Sequence, residues 1–188
     1  MKPLILASQS PRRKQLLEQA GLSFTVIPSD VEEKLTKKNL PEDLVASLAY
    51  QKALNVFERY PGHLVLGSDT VVSLDSHILG KPTDDDDARR MLQMLSGGWH
   101  TVLTGVTLLS AEKEVTFVEK TEVNFFSLSE EDISMYIKSG EPVDKAGAYG
   151  IQGLGAMLVE KINGDYFAIV GLPIAKVVRA LKTFNDHV

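Results

Sequence analysis

The chain has 188 residues, 44% of them apolar and 24% charged, which suits a folded unit with a proper core and excludes a disordered or fibrous chain. Acidic residues outnumber basic ones 25 to 20, and the net charge of −5 excludes sequence-independent nucleic-acid binding, so any polyanion bound must be small. The absence of cysteine removes disulfide scaffolds, thiolate metal sites and thiol nucleophiles together.

The apolar run at 4–7 reads as a buried strand; it is too short for a signal-peptide core. No stretch approaches the ~20 apolar residues of a membrane span, so the expectation is a soluble cytoplasmic protein without a membrane partner. Ser10 followed by Pro11 predicts an N-cap and first helical position, with the helix running to Gly21. A strand near 23–28, an acidic turn at 30–33 and a helix from Pro41 to about Tyr60 follow. The next expected strand is 63–69, with the hydrophobicity of an internal strand. A hairpin then joins the segments on either side of Asp75-Ser76. Thr83 is expected to cap a helix ending at Gly97-Gly98, with the acids 84–87 favouring its N-terminus rather than a metal. Long strands are predicted over 99–109 and 114–127, and a helix from Ser129 to Ser139. A glycine-rich loop at 144–155, strands near 156–162 and 165–170 and a helix from Pro173 complete one α/β domain spanning 1–188.

Several residues in this layout call for a ligand. Arg12 and Arg13 lie in the first turn of a helix, where cations oppose the macrodipole unless an anion meets them, the free N–H groups and the hydroxyls of Ser8 and Ser10. Lys52 falls in the middle of an apolar helix face with Leu44, Val45, Leu48, Ala49, Val56 and Tyr60, so it either snorkels to the edge or faces an anion. Serving an anion, it should be replaceable by methionine without loss of stability. Asp69 stands at the carboxyl end of a buried strand, either capping a turn or paired with a cation or metal. Glu32 and Glu33 can supply a second carboxylate for a hard cation, whereas the four histidines have no zinc spacing. Lys81 sits on a rigid Gly-Lys-Pro turn. In the glycine-rich loop, Gln152 can present a donor and an acceptor side by side to the edge of a base.

SQSPRR at 8–13, GSDT at 67–70, GKP at 80–82, DKAGAYGIQG at 144–153 and VGLP at 170–173 together resemble the Maf family of nucleoside triphosphate pyrophosphatases. The resemblance spans essentially the whole chain. It implies a mixed, strongly twisted sheet with flanking helices forming two lobes around a cleft, related to the inosine triphosphatase fold, and frequent homodimers. The implied reaction splits a nucleoside triphosphate into monophosphate and pyrophosphate with a divalent cation, Mg or Mn. Arg12, Thr70 and Gln152 match the branch acting on dTTP and UTP; a sister branch acting on 7-methyl-GTP carries Trp, Gln and Glu there. Ser68, where many members have alanine, is the one departure noticed.

On this resemblance Asp69 is general base or metal ligand, Glu33 a metal carboxylate, and Lys52 and Lys81 neutralise the triphosphate. Ser8, Ser10, Arg12 and Arg13 hold the phosphates, Lys145 contacts the substrate, and Thr70 and Gln152 read the pyrimidine. The competing class is a nucleotide-sensing protein acting in inhibition of septum formation without turnover, which would need the phosphate cradle but no base.

Overall fold

The computed structural model describes residues 2–31 and 40–184. In chain order the elements are β1 (Leu4–Leu6), α1 (Pro11–Gln19), β2 (Phe24–Val26), α2 (Pro41–Phe57), β3 (Leu64–Leu74), β4 (His77–Leu79) and α3 (Asp85–Leu95). They continue with β5 (Trp99–Leu109), β6 (Glu114–Phe125), α4 (Glu130–Lys138), three short 3₁₀ turns, β7 (Val159–Asn163), α5 (Tyr166–Val170) and α6 (Ile174–Lys182). The strands form a seven-stranded mixed sheet in the order β2-β1-β3-β5-β6-β7, with β4 paired to β3. The α/β class expected from the sequence is the class observed.

The chain divides into two compact units. The first comprises Met1–Asp69, Thr104–Glu119 and Gly171–Val188. In it β1 lies between β2 and β3, parallel to both, with Leu4 opposite Phe24 and Leu64. Parallel neighbours need crossovers, and α1 and α2 lie in those connections. Ser10 caps α1, its hydroxyl accepting the Arg13 N–H, and Pro11 occupies the first turn. Helix α2 buries Leu44, Val45, Leu48, Ala49, Ala53 and Val56, and Lys52 lies in the same stripe. Ile5, Ala7, Ala53, Val56, Val65 and Leu109 form a continuous apolar cluster there. Tyr60, expected on the same helix face, lies beyond the end of α2 and is 37% exposed.

The second unit comprises Thr70–Leu103 and Lys120–Val170. The segments expected at 63–69 and 70–74 are one strand, β3, whose far end turns back into β4 with Val72 opposite Leu79. Asp75 and Ser76 both have positive φ, 48° and 67°, as a two-residue hairpin turn of matching twist requires. β6 and β7 pair antiparallel, Glu122 opposite Asn163. The core of this unit gathers Met91, Leu92 and Leu95 of α3, Ile133 and Tyr136 of α4, and Val102, Val123 and Phe125 of the sheet.

Three expectations are corrected. The cap of α3 is Asp84 rather than Thr83: Asp84 accepts the Asp87 N–H at 2.7 Å, while Asp87 accepts the Thr83 N–H at 3.1 Å. The loop 144–155 is largely a series of 3₁₀ turns, Glu141–Asp144, Ala146–Ala148 and Gly153–Leu158. The run 165–170, expected as a strand, is helix α5. Asp165 decides this: its carboxylate accepts the Phe167 N–H at 2.8 Å, closing a helical start that periodicity cannot distinguish from a short strand.

Candidate active site

In the first unit, the segment leading into α1 forms a hydrogen-bonded cluster. The Ser8 hydroxyl accepts the Ser10 N–H at 3.2 Å and Nη1 of Arg13 at 3.2 Å. Nε of Arg13 donates to the Gly171 carbonyl at 2.8 Å. The fully buried Ser68 donates its hydroxyl to that same carbonyl at 3.3 Å. Arg13 is thereby held in one orientation beside the N-terminus of α1, a cation fixed at the positive end of the helix. Ser68 and Gly171 had no role in the sequence reading. The signal was present as GSDT and VGLP, but that Gly171 supplies a carbonyl to Arg13 becomes visible only with the contact in hand. Arg12, half-buried, makes no hydrogen bond or ion pair among the described residues.

Lys52 and Asp69 answer one another. Nζ of Lys52 lies 2.5 Å from Oδ1 of Asp69, and the two side chains are 10% and 8% exposed. The lysine faces an anion instead of snorkelling, and the carboxylate has its cation. Gly67 makes this possible. A Cβ there would stand 2.3 Å from the Ala49 carbonyl oxygen and 2.7 Å from the Ala53 nitrogen, so β3 and α2 touch backbone to backbone. Gly67→Ala is therefore expected to push α2 away, at about 1–3 kcal/mol for overpacking and about 3–10 °C in Tm. Activity should fall with it because α2 carries Lys52. Thermal unfolding and turnover assays check this, and unchanged values for both would show that the approach is not needed.

In the second unit, Thr70 follows Asp69 directly and is half-buried, while Lys81 and Gln152 are exposed. Lys145 donates to the Glu141 carbonyl at 2.8 Å and to the Asp144 carboxylate at 3.0 Å. Its stem lies against Gly150, whose Cβ would come within 2.8 Å of it. Behind the loop, Tyr149 and the Nε2 of His100 share a 2.7 Å hydrogen bond, and both rings pack edge-on to Phe125. Burial pushes the Tyr149 phenol up. It also pushes Tyr136 up to about 12, with the Gly150 N–H opposing and the Glu141 carboxylate adding to the shift.

Burial lowers the His100 pKa from 6.5 to about 4. The folded state then keeps His100 neutral while the unfolded chain takes up a proton below pH 6.5. The stabilising contribution is present above that pH and is lost as pH falls toward about 4. Its size is on the order of 3 kcal/mol. Urea unfolding across this range should show the loss in the wild type and a flatter acid limb in His100→Gln. Parallel acid limbs would remove His100 as its source.

Of the expected site residues, the structure joins Ser8, Ser10 and Arg13 in one cluster and Lys52 with Asp69 in another. Glu33 and its neighbour Glu32 lie outside the described residues. Among the described residues no three His, Asp or Glu side chains gather as a metal site.

The family model described as Maf-like protein matches residues 3–184. The chain belongs to the Maf family. Among curated Maf relatives, one named dTTP/UTP pyrophosphatase from Bacillus cereus strain G9842 is 55% identical over 188 residues, covering all of this chain and 98% of its own. Another from Bacillus cereus strain ATCC 10987 / NRS 248 is 55% identical, with 93% of its length covered. A third of the same name from Bacillus mycoides strain KBAB4 is 53% identical, with 98% covered. The family membership and the dTTP/UTP names of these relatives agree with the motif reading.

Proposed function

We propose that this chain hydrolyses dTTP and UTP to the monophosphate and pyrophosphate. The observation that carries the reading is the buried Lys52–Asp69 pair, an enclosed carboxylate held by a cation, in a chain whose full-length relatives bear the name dTTP/UTP pyrophosphatase. A sensor without turnover would have no use for such a carboxylate.

Asp69 accepts the proton of the attacking water, whose oxygen bonds to phosphorus as the bridging P–O bond breaks and pyrophosphate leaves. Lys52 holds Asp69 oriented and, with Lys81, offsets the charge of the triphosphate. Ser8, Ser10, Arg12, Arg13 and the start of α1 hold the phosphate tail, Lys145 adds a contact, and Thr70 and Gln152 read the pyrimidine.

Mg²⁺ or Mn²⁺ fits the donors present, because Mg²⁺ is commonly held by one or two carboxylates plus substrate phosphates and water, and Asp69 offers a hard oxygen. Glu33 would be the second carboxylate. When bound, the ion neutralises phosphate charge and lowers the pKa of a coordinated water. The reading also makes the protein a cytoplasmic homodimer with no nucleic-acid partner, in keeping with its net charge of −5. Light scattering checks the dimer.

A product assay with dTTP and UTP, with and without Mg²⁺, tests the activity. Monophosphate and pyrophosphate, formed with the metal and lost on chelation, are expected. Diphosphate with inorganic phosphate would mean a different bond is cut, and binding without turnover would favour the sensor.

A further inference from the structure

Gln152 lies on a short closed loop whose two ends touch. A Cβ on Gly155 would stand 1.8 Å from the Gly150 carbonyl oxygen and 3.0 Å from the Tyr136 hydroxyl, so only glycine permits the closure. Both ends are fastened by side chains from just before the loop. The Gly150 N–H donates to the Tyr136 hydroxyl at 3.1 Å. At the other end the Glu141 carboxylate accepts the N–H groups of Leu154 at 3.0 Å and Gly155 at 3.3 Å. Gly153, with φ of +62°, sits against the same carboxylate, 2.6 Å from where its Cβ would be. Tyr136 is 1% exposed, and the Glu141 carboxylate also acts on its hydroxyl, so the two fasteners belong to one polar group. Between them Ile151 is buried and Gln152 is exposed, so the loop points one side chain inward and the next outward.

We propose that Tyr136 and Glu141 are positioning residues for base selection, locking the loop 151–154 so that the Gln152 carboxamide meets the base in one orientation. The inference rests on the reading above, in which Gln152 faces the pyrimidine. Uracil presents an N3–H donor beside a carbonyl acceptor, and cytosine presents the reverse, an N3 acceptor beside an amino donor. A carboxamide held one way satisfies uracil and leaves cytosine unpaired; carried on a loosened loop it can turn round and satisfy either. The locked backbone beneath Gln152 fixes where its carboxamide meets the edge of the base and so contributes to separating UTP from CTP.

Steady-state kinetics with UTP and CTP, together with amide hydrogen exchange at Leu154 and Gly155, test this in the wild type, Tyr136→Phe, Glu141→Ala and Glu141→Gln. Tyr136→Phe keeps the buried shape and removes only the hydroxyl, which guards against a variant that fails to fold. Tyr136→Phe and Glu141→Ala are expected to lower the UTP-to-CTP ratio of kcat/KM about 10-fold, mainly through KM, with exchange at least about 10-fold faster. The two N–H groups are taken by different oxygens of Glu141, so Glu141→Gln, whose single carbonyl oxygen can still accept one of them, should recover part of the ratio. A ratio unchanged despite faster exchange would overturn the inference while leaving the pyrophosphatase reading intact. A wild type that turns over neither UTP nor dTTP would overturn that reading and the inference with it.

Discussion

Asp69→Asn is expected to lower turnover of dTTP and UTP by at least about 10²-fold while nucleotide binding persists. The amide preserves the shape and one acceptor oxygen but has neither the basicity to take a proton from water nor the charge to attract a cation. It also leaves the Lys52 ammonium, 2.5 Å from Oδ1, facing a neutral amide instead of a carboxylate at a site where both side chains are about nine-tenths covered. Breaking a buried pair from one side costs roughly 3 kcal/mol or more. For a chain of this size that lowers Tm by about 6–12 °C. Isothermal titration with a non-hydrolysable dTTP analogue, a turnover assay and thermal melts separate the effects. Near-normal turnover would return Asp69 to a structural role and remove it from the chemistry.

The second large effect concerns the pair as a unit. From the sequence alone, a Lys52 that faces only a ligand can be replaced by methionine with stability held or raised. The structure revises this, since its partner includes the protein's own Asp69, and methionine alone would leave a buried carboxylate with less compensation. Lys52→Met and Asp69→Leu should therefore each destabilise the fold by roughly 3 kcal/mol. The double variant, two apolar side chains of similar volume, should come back to within about 1 kcal/mol of the wild type or exceed it. All three should lack measurable pyrophosphatase activity. Urea unfolding of the four proteins gives the coupling directly. Additive single effects would mean that the ion pair contributes no coupling to stability, and activity retained in the double variant would remove both residues from the chemistry.

Much of the secondary structure was legible because local chemistry is unambiguous at the relevant residues. Ser10-Pro11 could only begin a helix well, and Ser129 with Asp132 three residues later forms a capping box in which each side chain bonds the other's backbone. Asp75-Ser76 between apolar runs marked the hairpin. The misreadings fall where local signals are weak. A five-residue apolar run such as 166–170 has no period long enough to distinguish strand from helix, and the acid run 84–87 offered several caps of which Asp84 has the geometry.

Composition and periodicity by themselves determined the α/β class and the oddity of Lys52 and Asp69, because burial energy acts on every residue of an amphipathic face alike and a charge there stands out. They left open what resolves each oddity. Lys52 and Asp69 are 17 positions apart, Arg13 and Gly171 are 158 apart, and no sequence period brings either pair together. Only the packing of α2 on Gly67 aligns the lysine with the carboxylate. Only the tertiary structure turns the Gly171 carbonyl toward Arg13 and Ser68, and closes Gly155 onto Gly150 to fix the loop beneath Gln152. Such contacts depend on where two backbones approach, which is set by the whole fold and not by the residues that meet.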